Sequence, residues 1–262
     1  MSATRARWGP WAVVAGASEG LGAAFAEGLA ARGHDVVLVA RRVDKLEALA
    51  EALRARHGVG VLVVGLDLAV PDVAEQLAVA LGGREVGVLV CNAALAPLGP
   101  FLDTPAPDLV RALEVNGRAT VLLVRSLVPA MVARRRGAVV IMSSLTAFQG
   151  SPWTTLYGAT KAFGLSFAEG LWIELAPHGV EVIACAAGAT RTPNYLAHAA
   201  KGGAPGELEP AQVVEEALAG LGRGPLVIPG VFNRWASFFM RRLLPRALTI
   251  RIMGAETRKL QG

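Results

Sequence analysis

The chain has 262 residues, 53% of them apolar and 18% charged, which excludes a disordered chain and suits one domain over residues 1–262. No apolar run that is free of charges and helix breakers is long enough to cross a bilayer, and no apolar segment of a signal peptide follows the basic N-terminus. The two cysteines lie far apart and lack metal-ligand spacing, which argues against a disulfide framework and a zinc site. We therefore expect a cytoplasmic protein that holds no metal. The net charge of +5 arises in the last thirty residues, where seven basic side chains accompany one acid, and the near-neutral remainder argues against nucleic acid as a partner.

Short apolar runs alternate along the chain with longer amphipathic segments, as in β-α-β units around a parallel sheet. The runs are apolar on both faces and predict seven strands, over Trp11–Ala15, Asp35–Ala40, Gly60–Gly65, Gly87–Cys91, Ala138–Met142, Val180–Ala186 and Pro225–Ile228. Apolar residues at helical spacing predict helices over Leu21–Arg32, Val43–His57, Val73–Leu81, Pro107–Arg134 with a break near Asn116–Gly117, Thr154–Pro177 and Pro210–Leu221. The sequence therefore predicts an α/β fold of the Rossmann type, a doubly wound seven-stranded parallel sheet with helices on both faces and a C-terminal helical extension.

A glycine-rich turn follows the first predicted strand and opens directly into a helix. It reads Gly16-Ala17-Ser18-Glu19-Gly20-Leu21-Gly22, with the spacing Gly-x-x-x-Gly-x-Gly. Glycines allow a sharp turn and let the backbone approach a pyrophosphate, whose charge is favoured at a helix N-terminus. The turn therefore predicts a dinucleotide-binding site. In a chain with 30 glycines, an ordinary glycine-rich turn is the alternative.

Arg41 and Arg42 end the second strand, about twenty residues after the glycine turn. An acid there would bind the ribose 2′-hydroxyl of NAD, whereas arginine suits the 2′-phosphate of NADP. The alternative is a solvated pair that opens a helix. Asp67 either contacts adenine or forms the turn before Pro71, and Asn92 would hold the turn beside the cofactor. We predict NADP(H) as the preferred cofactor and leave NAD(H) open.

Ser144, Tyr157 and Lys161 give the sharpest indication of chemistry. Tyr157 and Lys161 lie four positions apart on one face of a predicted helix, and Ser144 follows the fifth strand. Because a nearby ammonium favours phenolate, we expect Lys161 to lower the pKa of Tyr157 from its ordinary value of about 10. Tyr157 would then act as a general acid and base near neutral pH, while the Ser144 hydroxyl holds a carbonyl oxygen. A tyrosine and a lysine at this spacing are commonplace alone, but the serine and the glycine turn make coincidence rare.

In these residues the sequence resembles the short-chain dehydrogenase/reductase family, and the resemblance runs from about Trp11 to Ile228. The matching segments are the glycine turn, the run Cys91-Asn92-Ala93-Ala94, the residue Asn116, the set Ser144, Tyr157 and Lys161, and the run Ala187-Gly188-Ala189-Thr190-Arg191-Thr192. The chain departs from the family's usual residues at Ala15, Cys91, Ala94 and Ala187, all of them small replacements at supporting positions. The departures concern the turns and leave the set Asn116, Ser144, Tyr157 and Lys161 complete.

The resemblance implies an enzyme, an NADP(H)-dependent oxidoreductase that interconverts a carbonyl and an alcohol. It implies that Tyr157 donates the proton, Lys161 holds the ribose, Ser144 orients the oxygen and Asn116 supports a proton relay through water. It places contacts to the nicotinamide amide and phosphate at Gly188, Thr190 and Thr192. It also implies a homodimer or homotetramer, packed through the helix that carries Tyr157. The alternatives from other classes are a dinucleotide-binding regulator without turnover and a membrane-surface scaffold.

Residues 193–208 form the expected substrate lid, with a flexible stretch from Lys201 to Gly206, and residues 232–262 form a basic, apolar tail. Tyr195, Leu196 and the apolar tail suggest a hydrophobic substrate, such as a fatty acyl or steroid-like ketone. The tail should form two helices separated at Pro245. One interpretation is that these helices close the substrate pocket or form a subunit contact, because most apolar helix stripes are buried in this way. The other is that they rest on anionic lipid.

Histidines and cysteines are expected to stay outside the chemistry. Cys91 and Cys185 lie at strand ends and should be small buried apolar residues. His34, His57 and His178 lie near predicted element boundaries without metal-ligand spacing, and we expect them to be solvated.

Overall fold

Seven strands form one parallel sheet in the computed structural model of the chain, which describes residues 3–198 and 203–258. The strands are β1 (Trp11–Ala15), β2 (Asp35–Ala40), β3 (Val61–Gly65), β4 (Val86–Cys91), β5 (Gly137–Ser144), β6 (Val180–Ala187) and β7 (Leu226–Val227). Their order in the sheet is β3-β2-β1-β4-β5-β6-β7, and every neighbouring pair is parallel. All seven predicted strands are confirmed, and their ends differ from the prediction by no more than two residues.

The described residues also form a series of α-helices around this sheet. They are α1 (Ala3–Trp8), α2 (Gly20–Ala31), α3 (Val43–His57), α4 (Val73–Leu81), α5 (Ala106–Leu113), α6 (Ala119–Arg134), α7 (Thr155–Leu175), α8 (Pro193–His198), α9 (Pro210–Gly220), α10 (Val231–Arg242) and α11 (Arg246–Arg258). The predicted break in the helix over Pro107–Arg134 is a π-helical turn at Glu114–Arg118, which joins α5 to α6. The two tail helices meet at Pro245, which lacks the N–H that a continuous helix would need. The sequence does not predict α1, because its six residues show no apolar periodicity.

Helices cover both faces of the sheet, and the alternation of side chains along each strand decides which layer a residue joins. On one face, Val14 and Leu38 pack with residues of α2, α3 and α9. On the other face, Val13 and Leu89 pack with residues of α4, α6 and α7. Burial of each such side chain contributes about 1.5–3 kcal/mol, so the sheet is stabilised from both sides. This arrangement is the doubly wound Rossmann-type fold that the sequence predicts.

The strand order creates a crevice beside β1. From β1 the chain winds outward to β2 and β3, and it then returns to β4 on the opposite side of β1. The connections after β1 and β4 therefore diverge, and ligands of open α/β sheets bind in the crevice that this reversal leaves. Gly16 N–H donates to the Val39 carbonyl at 2.8 Å, and Asn92 N–H donates to the Ala15 carbonyl at 3.1 Å. These bonds fix both connections to the ends of the strands.

One helical segment, Ala106–Arg134, reaches the length and apolarity of a membrane-crossing helix by composition alone. The sequence predicts no membrane-crossing segment. Half of its most apolar window is buried inside the fold, and Leu123, Leu127 and Met131 pack in the core layer of α4 and α7. Helices in protein cores share this composition, so the place of the segment against the sheet accounts for it.

His34 is fully buried, so the expectation that the three histidines are solvated is wrong for this one. Its ring stacks on Trp8 of α1, with the ring centroids 6.0 Å apart. Neither ring nitrogen has a hydrogen-bond partner among the described residues. Burial lowers the pKa of His34 from 6.5 to about 4, and the nearby backbone of Gly9 opposes this only in part. The reason for the error is α1, which covers the ring and has no signature in the sequence.

This burial should make the stability of the protein depend on pH. The unfolded chain binds a proton at His34 near pH 6.5 and the folded chain only near pH 4, so the stabilisation is complete above pH 6.5 and is lost as the pH falls toward 4. We expect a loss of about 3 kcal/mol in the free energy of unfolding from this residue. His34→Phe, which keeps a ring against Trp8, should flatten the pH dependence between these values in denaturant titrations. His178→Gln changes an exposed histidine and should leave the slope as it is; an unchanged slope in His34→Phe would contradict the assignment.

Candidate active site

The glycine turn lies at the crevice between β1 and β4 and leaves no room for side chains. Gly16 and Gly20 have positive φ angles of 88° and 58°. A Cβ atom on Gly16 would lie 2.7 Å from the Ala93 backbone, and one on Gly22 would overlap the Gly16 carbonyl oxygen. Because α2 begins at Gly20, its first N–H groups and its positive dipole end lie at this turn. The turn therefore has the form of an anion-binding cradle.

Asn92 ties this turn to the end of β4. Its side-chain Nδ2 donates to the Gly16 carbonyl at 2.9 Å, which agrees with the prediction that Asn92 holds the turn. Thr192 lies against Gly20 from the opposite side. The segments after β1, β4 and β6 thus converge on one point.

Arg41 and Arg42 differ in their surroundings. Arg42 forms an ion pair with Glu19 at 2.7 Å and a hydrogen bond to the Ser18 hydroxyl at 2.9 Å, and Lys45 pairs with the other Glu19 oxygen at 2.8 Å. The two cations lower the pKa of Glu19 from 4.5 to about 2, so this carboxylate stays ionised at neutral pH and balances part of their positive charge. Arg41 is exposed, lines the cavity and makes no hydrogen bond or ion pair within the described residues. Its guanidinium is thus available to an anionic ligand.

Asp67 stabilises a turn, which is one of the two roles that the sequence allows for it; the other is contact with adenine. Its Oδ1 accepts a hydrogen bond from the Ala69 N–H at 3.0 Å, and its Oδ2 pairs with Arg111 of α5 at 2.6 Å. Asp67 also lines the cavity, so its contact with adenine stays a prediction.

Ser144, Tyr157 and Lys161 come together where β5 meets α7. Ser144 is the last residue of β5, and Tyr157 and Lys161 lie one turn apart on α7. Lys161 is buried, its Nζ donates to the Met142 carbonyl at 2.8 Å, and it lies 5.5 Å from the centroid of the Tyr157 ring. Ser143 Oγ donates to the Lys161 carbonyl at 2.8 Å and thereby anchors α7 to β5.

The pKa values in this group run opposite to the sequence expectation for Tyr157. Burial raises the pKa of Tyr157 above its ordinary value of 10, and the Ser144 hydroxyl lowers it only in part. Burial also lowers the pKa of Lys161 from 10.5 to about 8. The ammonium donates to a backbone carbonyl instead of the phenol, which is why the spacing alone overstates its effect on Tyr157. A phenol that stays protonated at neutral pH is suited to donate a proton.

Asn116 lies in the π-helical turn, buried behind the cavity. Its Oδ1 accepts from the Leu95 N–H at 2.7 Å, and its Nδ2 donates to the Leu95 carbonyl at 2.8 Å and to the Thr160 hydroxyl at 3.0 Å. The side chain thus clamps the segment after β4 to α7. The water relay that the family resemblance implies for Asn116 stays a prediction.

A cavity of about 950 Å³ joins these residues. Among the residues predicted from the sequence, those that line it are Gly16, Ser18, Glu19, Gly20, Leu21, Arg41, Arg42, Asp67, Asn92, Ser144, Tyr157, Lys161, Gly188, Thr190 and Thr192. Gly22 and Asn116 lie behind the wall. Met253, Glu256 and Thr257 of α11 also line the cavity, which agrees with the prediction that the tail helices close the substrate pocket, although the sequence singles out none of the three for the site. No local signal marks these three, because the chain returns to the cavity only through tertiary packing.

The expected lid contributes Asn194 and Tyr195 of α8 to the wall, whereas Leu196 is exposed outside it. The Tyr195 hydroxyl donates to Glu207 at 3.4 Å, and Arg191 pairs with Glu207 at 2.8 Å. Lys201 and Gly202 of the expected flexible stretch lie outside the described residues. A lid movement therefore stays a prediction.

Both cysteines are buried and free, as expected. Burial raises the pKa of Cys91 and of Cys185 to about 12, so neither is a reactive thiolate at neutral pH. No group of three or more possible metal ligands occurs within residues 3–198 and 203–258.

Comparisons with known proteins agree with this geometry. The family model described as short chain dehydrogenase matches residues 10–201. The chain is 36% identical over 236 residues to a 7beta-hydroxysteroid dehydrogenase of Collinsella aerofaciens, covering 88% of this chain and 89% of the relative. A solved structure of a 7beta-hydroxysteroid dehydrogenase, studied for its stereoselectivity, superposes with a TM-score of 0.89 at 34% identity over 95% of this chain and 98% of that one. A short-chain dehydrogenase from Sphingobium yanoikuyae in complex with NADPH superposes with a TM-score of 0.79 at 35% identity, over 87% and 92% of the two chains.

The fold and the site define a dinucleotide-binding oxidoreductase. The chain belongs to the short-chain dehydrogenase family, as the sequence predicts. The predicted enzyme class, which acts on CH–OH groups and carbonyls, is thereby confirmed.

The site predicts a specific effect of removing the Tyr157 hydroxyl. Tyr157→Phe should fold and bind cofactor normally but lose general acid catalysis, about 10²–10⁴-fold in turnover of a ketone. The other tyrosine of the chain offers a control. Tyr195→Phe also removes a phenol hydroxyl from the same cavity and should lose far less turnover. Steady-state assays of both variants, with melting temperatures as a check on folding, measure the difference. Equal losses in the two variants would show that Tyr157 has no special role.

Proposed function

We propose that this protein is an NADP(H)-dependent dehydrogenase/reductase that interconverts a bulky hydrophobic ketone, of steroid-like size, and its secondary alcohol. The observation that carries the proposal is the cavity in which Arg41, the glycine turn and the set Ser144, Tyr157 and Lys161 line one continuous wall. A binding-only role would not require this complete set. A regulator without turnover is therefore the weaker alternative.

The residues fit a dinucleotide at three places. The glycine turn offers N–H groups and a helix N-terminus to a pyrophosphate, and its close packing against Ala93 and Thr192 leaves no room for Cβ atoms on Gly16 and Gly20. Arg41 offers a fork of donors suited to a 2′-phosphate. Gly188, Thr190 and Thr192 line the same cavity as Tyr157, where they would bind the nicotinamide amide and phosphate. NADPH in the similar Sphingobium yanoikuyae structure supports NADP(H), and NAD(H) remains the second candidate.

The side chains of this site supply orientation and the proton. The chemistry that a nicotinamide would supply here is the gain or loss of a hydride. Tyr157 holds a proton on its phenol oxygen and would donate it to the carbonyl oxygen of the substrate. Ser144 would hold that oxygen by a hydrogen bond. Lys161, fixed by the Met142 carbonyl, would hold the cofactor ribose, and Asn116 keeps α7 in register with the segment after β4.

Besides the residues assigned to the cofactor, the cavity has several apolar lining residues. Leu95, Leu98, Val115 and Met253 line it, and Tyr195 adds an aromatic ring. Apolar walls with few polar groups favour a hydrophobic ligand. Relatives that are hydroxysteroid dehydrogenases support a steroid-like substrate over a small ketone.

We further propose a homodimer or homotetramer in the cytoplasm. On α7, Phe163 and Ile173 are exposed on the side that faces away from the sheet. On the neighbouring α5, Val110 and Leu113 are also exposed. A second subunit would bury this apolar surface, which a lone chain would leave in water.

A panel of carbonyl compounds tests the reaction. Purified enzyme with NADPH should reduce steroid-like and other bulky ketones with kcat/KM well above that for small ketones such as acetone. If no bulky ketone and no matching alcohol with NADP⁺ is turned over while NADPH still binds, the regulator without turnover replaces the proposal.

The proposal also predicts cofactor preference. Arg41→Ala should weaken NADPH binding about tenfold or more, because a hydrogen bond to a charged group contributes about 1.5–3 kcal/mol, and should leave NADH binding unchanged. Arg42→Ala should cost less, since Arg42 is already paired with Glu19. Arg223→Ala, which removes an exposed arginine from outside the cavity, is the control. Fluorescence titration with both reduced cofactors measures these affinities, and equal loss for NADPH and NADH in Arg41→Ala would exclude a contact to the 2′-phosphate.

A further inference from the structure

The two C-terminal helices have their polar and apolar sides reversed relative to ordinary surface helices. On α10, Asn233 and Ser237 are buried, whereas Trp235, Phe238 and Phe239 are 61%, 52% and 50% exposed. A helix on a water-soluble surface buries its apolar stripe and exposes its polar residues. The exposed aromatic rings therefore indicate a surface that something apolar covers.

The same reversal continues on α11. Thr249 and Thr257 are buried there, and Leu248 and Ile252 are exposed. Leu243, in the connection between the helices, is 61% exposed. We call Trp235, Phe238, Phe239, Leu243, Leu248 and Ile252 together the outer face. It is concentrated in 18 consecutive positions of the chain.

Hydrogen bonds on the inner side fix this orientation. Asn233 Nδ2 donates to the carbonyls of Gly206 and Pro229, both at 3.0 Å. The Thr249 hydroxyl donates to the Met240 carbonyl at 3.0 Å, which links α11 to α10. Rotation of α10 to bury its aromatic rings would break the bonds of Asn233 and leave a polar group unsatisfied.

Contacts with the body of the protein fix the hairpin as well. The Arg241 guanidinium lies 4.1 Å from the Phe148 ring centroid, and that of Arg258 lies 5.0 Å from the Trp153 ring centroid. Both rings belong to the segment between β5 and α7, next to the catalytic residues. The inner side of the hairpin is thus committed to the fold, and only the outer face is open to a partner.

The charges around the outer face are positive. Arg242, Arg246 and Arg251 are exposed and make no hydrogen bond or ion pair within residues 3–198 and 203–258. Glu256 is the single acid in the last thirty residues, and it lies at the cavity. A partner that fits must therefore be apolar and negatively charged together.

We propose that the outer face docks on an anionic lipid bilayer. Aromatic and aliphatic side chains of an interfacial helix insert about 5–10 Å into the boundary between headgroups and acyl chains, while arginines reach the headgroups. Each basic residue near an anionic surface adds about 1 kcal/mol of attraction. A second copy of this chain fits less well, because a two-fold contact would set Arg242, Arg246 and Arg251 of both copies against one another.

Docking would bring the bilayer next to the substrate cavity. Met253 and Thr257 of α11 line the cavity from inside, while Leu248 and Ile252 of the same helix belong to the outer face. Only α11 would then separate an apolar ketone dissolved in the membrane from the cavity. This consequence rests on the proposed function, but the docking itself does not.

Co-sedimentation of the full-length protein with vesicles tests the docking without any activity assay. Wild-type protein should pellet with phosphatidylcholine vesicles that contain phosphatidylglycerol at low salt, and stay in the supernatant with pure phosphatidylcholine. Trp235→Ser/Phe238→Ser/Phe239→Ser should abolish pelleting. Arg251→Glu should weaken it about tenfold or more, whereas Arg223→Glu, with the same charge change on an exposed arginine elsewhere, should weaken it much less.

Three results would overturn the proposal. The first is wild-type protein that remains in the supernatant with anionic vesicles at low salt. The second is equal weakening by Arg251→Glu and Arg223→Glu, which would reduce the effect to overall charge. The third is a triple variant that pellets with anionic vesicles like wild type. If wild type does not bind vesicles and the triple variant sediments in velocity runs as a smaller oligomer, the outer face is assigned to a second copy of the chain. Because binding and turnover are measured separately, failure of docking leaves the reductase proposal intact.

Discussion

The site depends on the close approach of the turn after β1 to the segment after β4. Gly16 packs against the Ala93 backbone at a distance that excludes any side chain, and Asn92 closes the contact with its hydrogen bond to the Gly16 carbonyl. The parallel register of β1 and β4 brings these two loops to the same edge of the sheet. If the loops moved apart, the N-terminus of α2 would no longer lie beside the cavity that holds Tyr157.

A second set of polar contacts attaches α7, the helix that carries Tyr157, to this edge. Lys161 donates to a carbonyl of β5, Ser143 of β5 donates back to the Lys161 carbonyl, and Asn116 joins α7 to the segment after β4. All three side chains are buried, so the loss of any one would leave unsatisfied groups in an apolar surrounding. The position of Tyr157 is therefore set by buried hydrogen bonds on the side of the helix opposite to solvent, and the same burial keeps its phenol protonated.

The C-terminal hairpin contacts the wall of the cavity through both of its helices. Asn233 of α10 lies against Gly188, in the segment that follows β6, and Met253 and Thr257 of α11 line the cavity themselves. The aromatic rings of α10 face away from this packing. One hairpin thus has a structural inner side and an outer face whose apolar area the described residues do not cover.

The sequence by itself determined the strands, the principal helices, the break at Asn116, the glycine turn and the set Ser144, Tyr157 and Lys161. These features are local: apolar runs, helical spacing and glycine positions report the backbone around them. Only the tertiary structure decided that α1 buries His34, that Glu19 neutralises Arg42, that Met253, Glu256 and Thr257 are the residues of α11 in the cavity wall, and that burial raises the pKa of Tyr157. Each of these depends on groups far apart in the chain, and desolvation and ion pairing exist only once packing brings such groups together.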